Sequence, residues 1–236
     1  MTHVKNAEAF SRLVDFCTGY GGTYNPGRQS LHIEVLVAQL SATRQAMQQV
    51  ITAKAAFDNE VNFRKQVFDR LPPLVSRVLR TLEASGATPE KLEDARAFTR
   101  PITGYMSKRV ILPVAEGQPV KPTRSNQQHA YVSKADAFAN LIQAVASEPL
   151  YQPNEPQLGV SALTAVLHQL TEANQQVSLA RVSWSNARIV RNEAMYHSSQ
   201  SLLTLLRAVK KYVRSLFGLN SEQYAQVKVL RFTKPS

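Results

Sequence analysis

Positions 36, 40, 43, 47, 50, 54, 57, 61, 64 and 68 advance by alternating steps of four and three. They read Leu, Leu, Thr, Met, Val, Lys, Phe, Val, Arg, Phe. A mostly apolar stripe with that 3.5-residue period marks a helix that lays one side against partners. No Pro or Gly interrupts 30–71, and the surface positions are rich in Ala, Gln, Leu and Arg, all good helix formers. The pattern predicts a helix of about forty residues, ~60 Å long at 1.5 Å per residue. A second stripe of the same spacing, Val166, Leu170, Ala173, Val177, Ala180, Trp184, Ala187, Arg191 and Ala194, predicts a matching helix within 160–201. Neither rod can bury its stripe alone, so each needs packing partners.

The two stretches are copies. Residues 24–69 align with 151–196 at a constant offset of 127, with Tyr24/Tyr151, Pro26/Pro153, Leu31/Leu158, Leu40/Leu167, Asn59/Asn186 and Arg64/Arg191 identical. The copying extends outward. An amphipathic helix expected at 4–18 matches 132–146 at offset 128, through Val4/Val132, Ala7/Ala135, Phe10/Phe138 and Leu13/Leu141. Thr18-Gly-Tyr-Gly-Gly breaks the first of these helices and Ser147-Glu-Pro-Leu the second. After the first long helix, Pro72-Pro73 forces a stop or kink, because proline lacks an N–H and restricts the residue before it. A third helix is then expected over 74–84, with Gly86 at its C′ position and Thr88-Pro89-Glu90 opening a short fourth. The second copy ends alike, with a helix over 202–217, Gly218, and Asn220 or Ser221 as the next cap. Both copies close on one signature, Phe98-Thr-Arg-Pro and Phe232-Thr-Lys-Pro.

These boundaries predict helical repeat 1 at 1–101, a linker at 102–131 and helical repeat 2 at 132–236. The linker holds Gly104, Pro113, Gly117, Pro119 and Pro122 and has no helical period. Its apolar run Val110-Ile-Leu-Pro-Val is expected to dock on a surface. It is long enough to let one repeat fold back on the other.

Charge refines this picture. The net charge of +11 is concentrated in two places. Residues 99–134 hold six Lys/Arg against Glu116, and 205–236 hold seven against Glu222, while the rest is electrically balanced. Basicity confined to a linker and a C-terminal segment points to interaction surfaces. No apolar run approaches the ~18 residues of a membrane span. The sequence Met1-Thr-His-Val-Lys-Asn-Ala-Glu lacks the apolar core of a signal peptide. A lone cysteine, Cys17, excludes an intramolecular disulfide and fits a reducing compartment. A cytoplasmic location is the expectation.

Phe16-Cys-Thr-Gly-Tyr-Gly, Leu150-Tyr-Gln-Pro-Asn-Glu, Ser185-Asn-Ala-Arg with Arg191-Asn, and Ser215-Leu-Phe-Gly with Phe232-Thr-Lys-Pro resemble a family of uncharacterised tandem-repeat helical proteins from Gram-negative bacteria. The resemblance covers most of the chain and implies a self-contained protein with two related halves. It brings no activity, cofactor or partner.

Candidate chemistry is sparse. Of the five histidines, His3, His32, His129, His168 and His197, no two stand at i, i+4, and no His-Glu-x-x-His or thiolate cluster occurs. Helical zinc and di-iron signatures are therefore missing. Gly19-Tyr-Gly-Gly follows a helix rather than a strand and reads as a helix-ending turn, not a phosphate cradle. Cys17 reads as a small buried hydrophobe. Two features stand out instead. Asn59, Arg64, Asn186 and Arg191 occupy matching places on core-forming helices. They suggest either a ligand site between the long helices or, as the favoured reading, a register-fixing polar layer, with each arginine bonded to a carboxylate (Asp58, Glu60 or Glu193) or to helix-end carbonyls of the other repeat. Arg207, Lys210, Lys211 and Arg214 follow i, i+3, i+4, i+7 on one face, with Lys228, Arg231 and Lys234 extending the patch and Arg77 and Arg80 a weaker version in repeat 1. Its functional reading is contact with phosphates; the alternatives are an anionic membrane surface or a solvated face.

The sequence thus predicts an all-α protein of two homologous repeats, folded as an elongated pseudo-two-fold bundle or strung as two bundles end to end. The expected function is a non-enzymatic helical scaffold or interaction protein, self-associating or binding another protein. No cofactor, metal or small-molecule ligand is expected. The alternative is a sequence-independent nucleic-acid binder.

Overall fold

The structure is a computed structural model and describes residues 2–104 and 126–233. Among these there are helices and no strand. They run α1 (Thr2–Gly19), α2 (Ile33–Asp69), α3 (Leu71–Ala84), α4 (Pro89–Thr103), α5 (Asn126–Ala146), α6 (Val160–Asn192), α7 (Leu202–Phe217) and α8 (Glu222–Lys228). None of the described helices is long and apolar enough to cross a membrane.

The chain forms two compact units that cut across the sequence repeats. One is Met1–Ala56 with Arg181–Ser236; the other is Phe57–Ala180. The boundaries fall inside α2 and inside α6, so each unit combines half of one repeat with half of the other. In the first unit, Phe10, Leu13, Leu36 and Leu40 share a core with Leu202, Leu205, Leu206, Val209 and Val213. In the second, Phe68, Leu71, Val75, Val78 and Leu82 share a core with Phe138, Leu141, Leu158, Leu163 and Leu170. Burying such aliphatic and aromatic side chains stabilises by about 1.5–3 kcal/mol each, which is what the stripes could not gain as isolated rods.

Local structure repeats where the sequence repeats. Tyr24 and Tyr151 are both buried and donate their hydroxyls to the carbonyl seven residues on, Leu31 at 2.9 Å and Leu158 at 2.8 Å. Each bond closes a loop containing a 3-10 turn, Gln29–Leu31 or Pro156–Leu158, that aims the chain into the long helix. Gly21 takes a left-handed φ of 58° just after α1; the second copy makes its turn without glycine.

Three boundaries differ from the sequence reading. Helix α3 starts at Leu71, with Pro72 and Pro73 inside its first turn, where a missing N–H costs nothing. Helix α5 starts at Asn126, so the last six residues of the expected linker are helical, as are Ile102 and Thr103 at its start. The remainder, with the Val110-Ile-Leu-Pro-Val docking segment, lies outside the described residues. The third difference is in the second long helix, which was expected to run unbroken to 201. It ends at Asn192 and passes through a π-helical turn, Glu193–His197, before Ser201 caps α7 by accepting from the Thr204 N–H at 3.3 Å. The two aligned segments also differ in length here. Leu71 and Leu202 are both fully buried helix-start leucines, so the offset grows from 127 to 131. The four extra residues are taken up by a wide turn and by serines, which compete for backbone bonds. The caps follow expectation: Thr88 accepts from Lys91 N–H, Ser221 from Tyr224 N–H, and Gly86 has φ 80°.

Candidate functional site

The basic face of α7 arises because its opposite face is spent on the core. Leu202, Leu205, Leu206, Val209 and Val213 are buried, which turns Arg207, Lys211 and Arg214 outward. Lys210 does not belong with them. It is half-buried, and its Nζ donates to the carbonyls of Lys228, at 3.2 Å, and Leu230. These carbonyls end α8, where backbone acceptors lack helical partners and a cation offsets the helix dipole. Burial, then the nearby Arg231, holds the Lys210 ammonium below its ordinary pKa. The i, i+3, i+4, i+7 spacing finds a helix face but not whether a lysine stem folds back onto its own chain. Lys228 and Arg231 are exposed; Lys234 lies outside the described residues. Arg77 and Arg80 are also exposed, with Arg77 donating to Gln157 Oε1 at 3.2 Å.

The four residues expected to form a polar layer fall in two units, Asn59 and Arg64 in one and Asn186 and Arg191 in the other. Asn59 and Asn186 are exposed. Arg64 is only 6% exposed: its guanidinium stacks 4.3 Å from the centre of the Tyr131 ring, and among the described residues its Nε and Nη1 have no hydrogen-bond partner. The ring's negative face attracts the cation. Burial lowers the Arg64 pKa, although a guanidinium stays charged in any case. Arg191 belongs to the other unit and is half-buried. It donates from Nε and Nη2 to Asn192 Oδ1, at 3.1 and 2.8 Å. Tyr131 faces Arg64, and its counterpart His3 feels the charge of Arg191.

A network that the sequence reading missed sits beside Arg191. Asn6 is almost fully buried on α1. Its Nδ2 donates to Tyr196 Oη and to the Thr233 carbonyl, both at 2.9 Å, and its Oδ1 accepts from Thr233 N–H at 2.9 Å. Tyr196 Oη lies 2.9 Å from His3 Nδ1. Burial, then the charge of Arg191, holds His3 below its ordinary pKa, so the imidazole is neutral and can accept the tyrosine proton. One asparagine thereby pins both the end of the π turn and the C-terminal segment. The signal was present, since asparagine on the apolar side of α1 is replaced by Lys134 in the second copy, but composition gives it no weight.

Cys17 is fully buried. Burial pushes its thiol up to about 11, against a smaller pull from its hydrogen bond with Tyr24, so it is inert as a nucleophile. His32 Nε2 lies 3.0 Å from the Pro26 carbonyl, and His168 is exposed 3.9 Å from Glu172. No group of three or more His, Cys, Asp or Glu able to hold a metal ion occurs among the described residues. What the arrangement offers chemically is surface: exposed cations on α7 and the C-terminal segment, and exposed aliphatic residues on the long helices. No family model, curated protein or solved structure matches the chain.

Proposed function

We propose that this chain is a non-enzymatic helical scaffold that associates with a second copy of itself. It is built from two homologous repeats related by a pseudo-two-fold axis and is akin to the bacterial tandem-repeat family it resembles. The paired Tyr24 and Tyr151 loops and the matching cores of the two units support the symmetric reading. One observation carries the self-association: on α6, Val182 and Ile189 are 54% and 56% exposed and stand a heptad apart, with Asn186 four residues after Val182 and Val190 beside them. Aliphatic positions spaced four and three around a single asparagine form a coiled-coil seam. An asparagine in such a seam selects a partner that offers an asparagine at the same level, which an identical copy does. The seam is short, so association is weak and concentration-dependent. Sedimentation velocity across a concentration series tests this. The chain should shift toward dimer as concentration rises, and Val182→Lys with Ile189→Lys should abolish the shift while leaving the helical circular dichroism intact. A chain that stays monomeric throughout, or a double variant that associates as before, refutes the reading.

A second reading, sequence-independent nucleic-acid binding, is favoured by the exposed Arg207, Lys211 and Arg214. Three phosphate contacts give a log–log salt slope of about −2 to −3. A titration showing no binding at low salt removes it.

A further inference from the structure

Independently of the α6 seam, we propose that the groove between α1 and the C-terminal segment after α8 is a docking site for an acidic peptide with aliphatic side chains. The groove encloses about 430 Å³, within the range of ligand sites. On one wall α1 presents Val4, Lys5 and Arg12; on the other stand Val229, Leu230 and Arg231. Val229 is 70% exposed and Val4 55%, so the groove shows aliphatic surface to solvent between cations. Glu8 also lines it, but Arg44 Nη2 lies 3.2 Å from Glu8 Oε1 and answers that charge. Lys5, Arg12 and Arg231, all exposed, therefore give the rim three positive charges that the described residues do not pair.

Two further observations distinguish this place from an ordinary basic surface. The far wall is held at both ends, by Lys210 on the carbonyls of Lys228 and Leu230 and by Asn6 on both backbone groups of Thr233. A preformed wall lowers the ordering cost of binding. The second copy supplies an internal comparison. At offset 128, Lys5 and Arg12 become Ser133 and Asn140, and ahead of the matching Phe-Thr-Arg-Pro signature Arg231 becomes Ala97. All three replacements are exposed, as the cations are. The same helical scaffold is thus built without these charges, so packing does not require them. Charge complementarity calls for a carboxylate-bearing partner, and the aliphatic walls call for a side chain such as leucine. Single-stranded nucleic acid fits less well, because no aromatic ring lines the groove to stack a base.

The test is fluorescence anisotropy on the full chain with a labelled peptide of alternating glutamate and leucine. Saturable binding that weakens with salt is expected. The variant Lys5→Ser/Arg12→Asn/Arg231→Ala, which copies the second repeat's residue types, should lose about ten-fold or more in affinity with an unchanged melting temperature. Val229→Asp should weaken binding as well. The proposal is overturned if the wild-type chain does not bind, if the triple variant binds equally, or if Val229→Asp changes nothing. It is also overturned if a lysine–leucine peptide or a single-stranded oligonucleotide binds as tightly as the acidic peptide.

Discussion

Replacing Arg64 by methionine should leave the protein as stable as before or make it more stable, although the change deletes a nearly buried charged residue. Arg64 as a whole is 6% exposed, and two of its guanidinium nitrogens, Nε and Nη1, have no hydrogen-bond partner. An unsatisfied buried donor costs about 1–3 kcal/mol, more when charged. Two such donors place a burden of roughly 2–6 kcal/mol on the folded state. The offsetting gain is the contact with Tyr131, whose ring centre is 4.3 Å from Cζ. A desolvated cation–π pair contributes about 2 kcal/mol. Methionine keeps the length and apolar packing of the arginine stem while removing the donors and the charge. The balance is a change between about zero and +4 kcal/mol in favour of Arg64→Met, in line with buried ionic groups replaced by apolar residues of similar volume. Urea unfolding followed by circular dichroism measures it, with the slope checked for constancy. A cycle with Tyr131→Leu adds a second readout: that substitution should cost roughly 1–2 kcal/mol more with Arg64 present than in the Arg64→Met background, because only then is the ring facing a cation. A loss of about 3–5 kcal/mol in Arg64→Met would mean that the guanidinium has a strong anionic partner, and the reasoning would fail.

Three other outcomes follow from the same geometry. Asn6→Ala removes three hydrogen bonds and strands Thr233 N–H, so it should destabilise by about 2–4 kcal/mol in urea and raise proteolytic cleavage after α8; an effect below about 0.5 kcal/mol would show that the C-terminal segment is held by other contacts. Lys210→Ala should cost about 1–2 kcal/mol through lost charge-assisted bonds to the end of α8, whereas its exposed neighbour Lys211→Ala should stay within about 0.5 kcal/mol; equal effects in urea unfolding would return Lys210 to the solvated face. Cys17 has its thiol pKa raised from 9.0 to about 11 in the folded chain, so the folded state holds its proton longer than the unfolded one. Its contribution is complete below about pH 9 and is lost as pH rises toward about 11, a total of about 2–3 kcal/mol. Urea unfolding of wild type and Cys17→Ala should therefore diverge over that window, with wild type losing more; parallel pH curves would contradict it.

What the sequence could reveal depended on how local each determinant was. Periodicity is local, and it found the long helices and their inward sides. Leu36, Leu40 and Thr43 are buried at one end of the α2 stripe, and Arg64 and Phe68 at the other. Between them Val50, Lys54, Phe57 and Val61 are only half-buried. Caps are local too, hence Thr88, Gly86 and Ser221. The length of the second long helix was misread because no proline or glycine marks where it ends. Choice of partner is not local at all. Nothing near Phe10 says that its core includes Val209 and Val213, and nothing near Phe68 points to Phe138. The similar stripes on the two long helices make this harder, since each offers equally good pairings with either set of shorter helices.

Divergence between the copies resolves that ambiguity in a way similarity cannot. Identical positions such as Tyr24/Tyr151 and Leu36/Leu163 report what the shared scaffold needs, and both pairs are indeed buried. Positions that differ while staying exposed report what one copy has and the scaffold does not require. Lys5, Arg12 and Arg231 against Ser133, Asn140 and Ala97 are of this kind. Asn6 against Lys134 is different, because Asn6 is buried and bonded to Tyr196 and, through both ends of its amide, to Thr233 in the segment that carries Arg231. A structural specialisation and a surface specialisation therefore occur together in the same copy and fix the same stretch of chain. That coincidence is what separates the α1 groove from the basic face of α7, where Lys210 is consumed by the fold.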